Sequence, residues 1–310
     1  MIIGIIGATS NIASKAYLPV YAALQDEHRF ILYSRDWNKA EEVRKKYKFE
    51  YATTDLAALE TVDLVIIHAA TSSHFELAKR YLAAGVHVLM DKPLSENYEE
   101  VKTLYQLAEA HQVLFVIAFN RRFAPQTQKL KAIPHKNFIK ITKNLAQHNG
   151  NLTFQLYDIF SHPLDTLVYL LDDEIKTHHA HIKLDAKGQL ERAVVYLETE
   201  TSMGIASMNL NSGAYRETFE VEAKGQTAIV SDLSELTSFT GIDQVKSGLN
   251  GWSSATYTRG FDAIVLGVLE AITQYTPEKR ELLMENLKQK NVMTTHEIIA
   301  GMLEKIKIEK

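Results

Sequence analysis

This sequence predicts an α/β protein of two domains, the first built on a parallel sheet and the second on a largely antiparallel open sheet. Three observations carry that reading. The chain has 310 residues, about twice the roughly 150 residues of a typical domain. Over its first 120 or so residues, short β-rich runs alternate with helical patterns, the sequence form of repeated βαβ units. After Phe123-Ala124-Pro125 the pattern changes, and alternating segments such as Ala193-Val194-Val195-Tyr196-Leu197 and Phe219-Glu220-Val221-Glu222-Ala223 read as antiparallel strands with one wet face. The expected boundaries are 1–122 and 123–310.

In chain order, the strand runs of the first domain are Ile2 to Ile6, Arg29 to Tyr33, Leu64 to Ile67, Val86 to Met90 and Leu114 to Phe119. Between them Phe75, Ala78, Tyr81 and Leu82 form one apolar helical face, and Val101, Leu104, Leu107 and Ala108 another, so these helices should cover the sheet. In the second domain a helix is expected from Asp158 to Leu171 and another from about Thr295 to Ile308, with Ile298, Met302 and Ile306 on one side. There is no internal repeat and no low-complexity segment.

Composition narrows the function. At 46% hydrophobic and 23% charged residues, with a net charge of -4 and the two signs intermixed, the chain shows no broad cationic footprint. No nucleic-acid or anionic-membrane partner is implied, and a small-molecule ligand fits better. The absence of cysteine excludes disulfides, thiolate metal sites and a Cys nucleophile. The start Met1-Ile2-Ile3-Gly4-Ile5-Ile6-Gly7 has no basic segment or cleavage site and reads as the first strand of the fold. No apolar run approaches the roughly 20 residues of a membrane span. A soluble cytoplasmic protein is the expectation.

Four motifs carry chemistry. The turn Gly7-Ala8-Thr9-Ser10-Asn11-Ile12-Ala13 follows the first strand, where a dinucleotide-binding turn needs small residues so that backbone N–H groups and a helix N-terminus approach a pyrophosphate. Gly7 is the one glycine kept of the usual three, Thr9, Ser10 and Asn11 offer hydrogen bonds to phosphate, and Ala13 is small enough for helix-to-strand packing. This turn makes the first domain a Rossmann-type dinucleotide-binding domain. At the end of the second strand, Tyr33-Ser34-Arg35-Asp36 presents Ser34 and Arg35 where an NADP site holds the 2′-phosphate, while Asp36 leaves NAD open. In Met90-Asp91-Lys92-Pro93-Leu94-Ser95, Lys92 sits at the carboxyl edge of a parallel sheet, where such sheets bind ligands, and Pro93 keeps it extended. Last, Tyr157-Asp158-Ile159-Phe160-Ser161-His162-Pro163-Leu164-Asp165 puts Asp158 and His162 at i,i+4, so that on a helix a carboxylate can orient an imidazole, the usual proton carrier in oxidising an alcohol. Pro163 is awkward inside a helix, so a start or kink is expected there.

The order of these motifs resembles the glucose-fructose oxidoreductase, inositol dehydrogenase and rhizopine-catabolism type of NAD(P)-dependent oxidoreductases. The matching elements are Gly4-Ile5-Ile6-Gly7 with Asn11-Ile12-Ala13, Ala70-Thr71-Ser72-Ser73-His74, Asp91-Lys92-Pro93, Phe119-Asn120-Arg121-Arg122-Phe123, and the Asp158 to His162 spacing. The family's Glu-Lys-Pro is Asp91-Lys92-Pro93 here, and the glycine-poor turn is the larger departure. The resemblance implies Lys92, Asp158 and His162 as the catalytic trio. It adds Ile12, Ala70, Thr71, His74, Asp91 and Lys92 to the cofactor-binding set of Gly7, Thr9, Ser10, Asn11, Ser34 and Arg35, with Asn120 and Arg121 in support near the nicotinamide. It further implies hydride transfer between nicotinamide C4 and a carbinol or carbonyl carbon of a sugar, cyclitol or similar polyol, with NADP or NAD as cofactor, by a homodimer or homotetramer. A non-catalytic NAD(P)-binding sensor of the same fold is the alternative. His178, His179 and His181 lack a neighbour that would complete a coordination sphere, so no metal site is expected.

Overall fold

The computed structural model describes residues 1–308 and divides into two compact units, Met1–Ala118 with Phe261–Lys290, and Phe119–Gly260 with Asn291–Lys310. That division differs from a single cut after residue 122, because the segment 261–290 returns to the first unit.

The first unit holds a six-stranded parallel sheet of β1 (Ile2–Ile6), β2 (Arg29–Tyr33), β3 (Tyr51–Thr53), β4 (Leu64–Ile67), β5 (His87–Met90) and β6 (Phe115–Ile117), in the order β3-β2-β1-β4-β5-β6. This is a Rossmann sheet with its topological switch between β1 and β4. The core strands are continuous apolar runs because both faces are covered. Helices α1 (Leu18–Ala23), α2 (Trp37–Tyr47), α3 (Thr71–Ala83) and α4 (Tyr98–Ala110) are among the connections. On α3, Ala78, Tyr81 and Leu82 are buried, and on α4, Val101, Leu104 and Ala108, as their spacing requires.

The returning segment covers the edge that β6 would otherwise leave open. The Gln289 side-chain oxygen accepts the Ile117 N–H at 2.9 Å, and Arg280 donates to the Val113 carbonyl at 2.9 Å. Phe261 meets Tyr17 edge-on at 5.1 Å between ring centres.

The second unit contains β7 (Lys136–Asn144), β8 (Thr177–Leu184), β9 (Leu190–Glu198), β10 (Met203–Asn209), β11 (Arg216–Ala223), β12 (Gln226–Ser231), β13 (Glu235–Thr240) and β14 (Asp243–Gly248), ordered β14-β13-β12-β11-β7-β10-β9-β8. The sheet is antiparallel apart from the β7–β10 pair. Its inner face joins a core with Leu164, Leu167, Ile298 and Met302 from the helices Ser161–Leu170 and Val292–Ile308. The expected regular helix from Asp158 begins differently: Gln155–Phe160 is a π turn, and the α-helix starts at Ser161. Pro163 thus lies within continuous helical backbone just after the π turn, the break in regularity that a proline ring imposes.

Two desolvated imidazoles, His296 buried and His87 half-buried, make stability depend on pH. Burial holds His296 and His87 at about 4, and the His87 Nδ1 accepts the Leu114 N–H at 2.9 Å. An unfolded chain takes up these protons near pH 6.5, whereas the folded one resists until about 4, so the unfolded state binds more protons in between and stability rises with pH there. Thermal melts should therefore show Tm falling as pH drops from 6.5 toward 4. His296→Gln should flatten that slope, by up to about 3 kcal/mol at the acid end; an unchanged slope would contradict the assignment.

Candidate active site

The chemistry in the first unit gathers at the carboxyl ends of its strands. A cleft of about 530 Å³ opens at the ends of β1, β2 and β4, and its lining includes Gly7, Thr9, Ser10, Ser34, Arg35 and Ala70. Six of the residues expected to bind cofactor therefore share one cavity at the switch point. Gly7 has φ +81°, and a Cβ there would lie 2.5–2.6 Å from the backbone of His68 and Ala69. The crossing of these two loops admits only glycine, which explains why this one glycine is present. Ser10 Oγ accepts the Ala13 N–H at 3.2 Å, capping the helix that begins at Asn11. Asn11 and Ile12 are exposed on that helix and do not line the cleft.

At the β2 end, Asp36 is turned to other work. Its Oδ1 accepts the Asn38 and Lys39 N–H groups at 3.0 and 3.4 Å, making it the N-cap of α2. Arg35 is exposed, and Lys39, unremarked in the sequence, also lines the cleft. Asp36 and, from α3, Glu76 are the acidic groups of that lining. A cavity of this size at a capped helix start fits a dinucleotide.

Beyond β5, Lys92 is half-buried. Asp91, one residue earlier, is buried and accepts hydrogen bonds from Tyr17 Oη at 3.1 Å and His68 Nδ1 at 2.6 Å. Its carboxylate is thus engaged inside the unit. His74, on the first turn of α3, reaches the carbonyls of Pro93 at 2.8 Å and Ala69 at 2.9 Å. Burial pushes its pKa down, opposed by those carbonyls and by Asp91. Thr71, the first residue of α3, is half-buried and does not line the cleft.

In the second unit, the 3₁₀ turn Asn120–Phe123 sends successive side chains apart. Asn120 donates to the Arg259 carbonyl at 2.7 Å, beside Gly260, whose φ is +81° and whose Cβ position lies 2.4–2.6 Å from the Asn120–Ala124 backbone. Arg121 is buried and donates to both Glu217 oxygens, and its Nη1 lies 2.7 Å from His162 Nδ1. Burial alone would raise the Glu217 carboxyl, but Arg121 and Lys143 hold it at about 2. Lys143, 3.5 Å from Glu217, is lowered to about 8 by burial and by Arg121.

A guanidinium only donates, so His162 Nδ1 is the acceptor and the neutral ring carries its hydrogen on Nε2. The ring takes a proton at Nδ1 only by giving up the Arg121 bond. Asp158 lies on the π turn, half-buried, so the i,i+4 spacing assumed for a regular helix does not describe its relation to His162. His68, Tyr17 and Glu217 were not singled out in the sequence. A polar residue ending an otherwise apolar strand was the available signal for His68. His178, His179 and His181 lie on β8, and among the described residues no group of three or more His, Cys, Asp or Glu could hold a metal ion. No helix among them is long and apolar enough to cross a membrane.

Residues 1–119 match the model of the oxidoreductase family with an NAD-binding Rossmann fold, and residues 125–240 match the YceM-like C-terminal domain. The chain is 26% identical to YceM of Salmonella typhimurium over 277 residues, 88% of this chain and 90% of that protein. It is 31% identical over 156 residues to the NADP(+) scyllo-inositol 2-dehydrogenase IolU of Bacillus subtilis, covering 49% of this chain and 46% of that one. Among solved structures, a Gfo/Idh/MocA family oxidoreductase from Vibrio cholerae superposes with a TM-score of 0.85 at 25% identity, over 99% of both chains.

Proposed function

Since the chain belongs to the Gfo/Idh/MocA family of oxidoreductases, we propose that it moves a hydride between nicotinamide C4 and a carbinol or carbonyl carbon of a sugar, cyclitol or similar polyol, with NADP as the preferred cofactor. The nicotinamide dinucleotide, when bound, supplies the hydride chemistry. The chain's own residues supply the seat, the charge and the proton path. Gly7, Thr9 and Ser10 bring the first turn and the helix start to the pyrophosphate. Lys92 hydrogen-bonds the reacting oxygen and favours its partial negative charge. His162 takes the hydroxyl proton once Nδ1 leaves Arg121, whose charge Glu217 continues to balance. Asp158 moderates the positive field around them. The polyol class is supported by the named activity of IolU. The outward side of the second sheet, with Val194, Tyr196 and Ile205 half-buried on β9 and β10, is the surface through which the expected homodimer or homotetramer would form.

The observation that carries the cofactor assignment is that Asp36, although it lines the cleft, commits Oδ1 to capping α2, while Ser34, Arg35 and Lys39 line the same cleft. A carboxylate so engaged leaves the cations to meet a 2′-phosphate. In a fluorescence titration, Arg35→Ala should weaken NADPH binding about ten- to hundredfold, the worth of one charge-assisted contact, and leave NADH nearly unaffected. Unchanged NADPH affinity would make Arg35 a solvated loop charge. A screen of polyols and sugars with both oxidised cofactors, read by absorbance of the reduced nicotinamide, tests the reaction itself.

A further inference from the structure

We propose that His68 and His74 are positioning residues for Lys92, two buried imidazoles that clamp the residue on either side of it. The proposal rests on the reading of Lys92 as the group that meets the reacting oxygen.

β5 ends at Met90, and the last ladder bond on this side is from the Asp91 N–H to the Ile67 carbonyl at 3.0 Å. Two side chains of the neighbouring segment 68–74 hold the residues on either side of Lys92. His68, 1% exposed, holds the Asp91 carboxylate through Nδ1 at 2.6 Å, and its Nε2 lies 2.9 Å from Tyr21 Oη. His74, 1% exposed, holds the Pro93 carbonyl through Nδ1 at 2.8 Å, and its Nε2 lies 2.9 Å from the Ala69 carbonyl.

Donor directions around His68 are consistent with a neutral ring. The Tyr21 hydroxyl donates to Nε2, Nδ1–H donates to Asp91, and the Tyr17 hydroxyl donates to the other Asp91 oxygen at 3.1 Å. Tyr17 also lies against the His68 ring, with centres 4.2 Å apart. The chain of donors ends on Asp91, fixing an anion immediately before Lys92. Both ring nitrogens of His68 are bonded to protein groups, and His74 faces a carbonyl at each ring nitrogen, of which its neutral ring donates to one, here taken as Pro93, so neither ring is placed as the proton carrier of the reaction. A rigid ring fixes what it touches: His68 joins Asp91 to α1, and His74 holds the Pro93 carbonyl from the first turn of α3.

The test separates the two edges of the ring. Asn places an amide where Nδ1 was, and Gln places one where Nε2 was. His68→Asn should keep kcat within about threefold of wild type, whereas His68→Gln should lower it about ten- to hundredfold with cofactor Kd within about threefold. In a Lys92→Met background, His68→Gln should add nothing, because its effect runs through Lys92. Full additivity there, or wild-type kcat in folded His68→Gln, would overturn the clamp. A readout that needs no substrate is the rate of acetylation of Lys92 by acetic anhydride, followed by mass spectrometry. That rate should change severalfold in His68→Gln and in His74→Gln while other lysines keep theirs, and no change would overturn the proposal. An active Lys92→Met enzyme would instead overturn the reading of Lys92, leaving the acetylation rate to decide the clamp. His74→Gln also serves if His68→Gln does not fold.

Discussion

Lys92→Met and His162→Ala are each expected to lower turnover by about 10²- to 10⁴-fold, roughly 3 to 5 kcal/mol of barrier, while cofactor affinity stays nearly the same. Lys92 belongs to the first unit, at the carboxyl edge of β5, and His162 to the second, at the start of the helix Ser161–Leu170. The proposed chemistry has both act on one oxygen and its proton in a single transition state. Their losses should then be less than additive when combined, whereas independent residues would give the full sum. The His162 variant carries a second signature. Arg121 retains both Glu217 oxygens when the imidazole is removed, so the fold should survive and the defect should lie in chemistry rather than stability. If folded His162→Ala turned over an identified substrate at a near-normal rate, the histidine would be structural and the trio of Lys92, Asp158 and His162 would be abandoned.

The parallel sheet was legible because its strands are short, apolar and separated by amphipathic helices. β1, β2 and β4 keep the expected bounds, and β5 and β6 fall inside their runs. β3 escaped notice because Tyr51–Thr53 is three half-buried residues at a sheet edge, too short to show a period. The return of residues 261–290 was invisible for a different reason. Nothing in Gln289 or Arg280 announces that they will complete the backbone of β6, since the partner is fixed only by tertiary packing.

The site shows the same split between residue type and aim. Composition and order identified the cleft residues Gly7, Ser34 and Arg35, because phosphate binding demands small residues and cations at strand ends. Side chains with two plausible partners could not be aimed from sequence. Asp91 reaches Tyr17 and His68, and Asp36 caps α2, although either carboxylate could have faced a ribose. Asn120 and Arg121 engage Arg259, Glu217 and His162 of their own unit. The π turn before His162 was equally hidden, since a single extra residue per turn leaves almost no mark on an apolar pattern.

Adjacent arginines with opposite destinations lead to a large stability prediction. Where Arg121 reaches Glu217 and His162, Arg122 is fully buried and grips Asp165 with two bonds, Nε to Oδ2 at 2.9 Å and Nη2 to Oδ1 at 2.8 Å. Thr295, from the helix Val292–Ile308, adds a third at 3.2 Å. The carboxylate three residues beyond His162 thus anchors the helix that carries it. Arg122→Met should destabilise the protein by about 3 to 5 kcal/mol, because it strands a carboxylate out of water. The double variant Arg122→Met with Asp165→Leu should recover most of that loss, since it removes both desolvation costs together. Burial pushes the Asp165 carboxyl up, against the pull of Arg122. Without the arginine, its folded pKa lies above the unfolded one, so neutral Asp165 is tolerated at low pH and the penalty grows as pH rises through the folded value. Urea unfolding of both variants against wild type at pH 5 and pH 8 should show the Arg122→Met deficit larger at pH 8 and absent from most of the double variant's midpoint. A single variant within about 1 kcal/mol of wild type at pH 8 would mean that solvent or a rearranged neighbour compensates Asp165, and that the pair does not anchor the His162 helix.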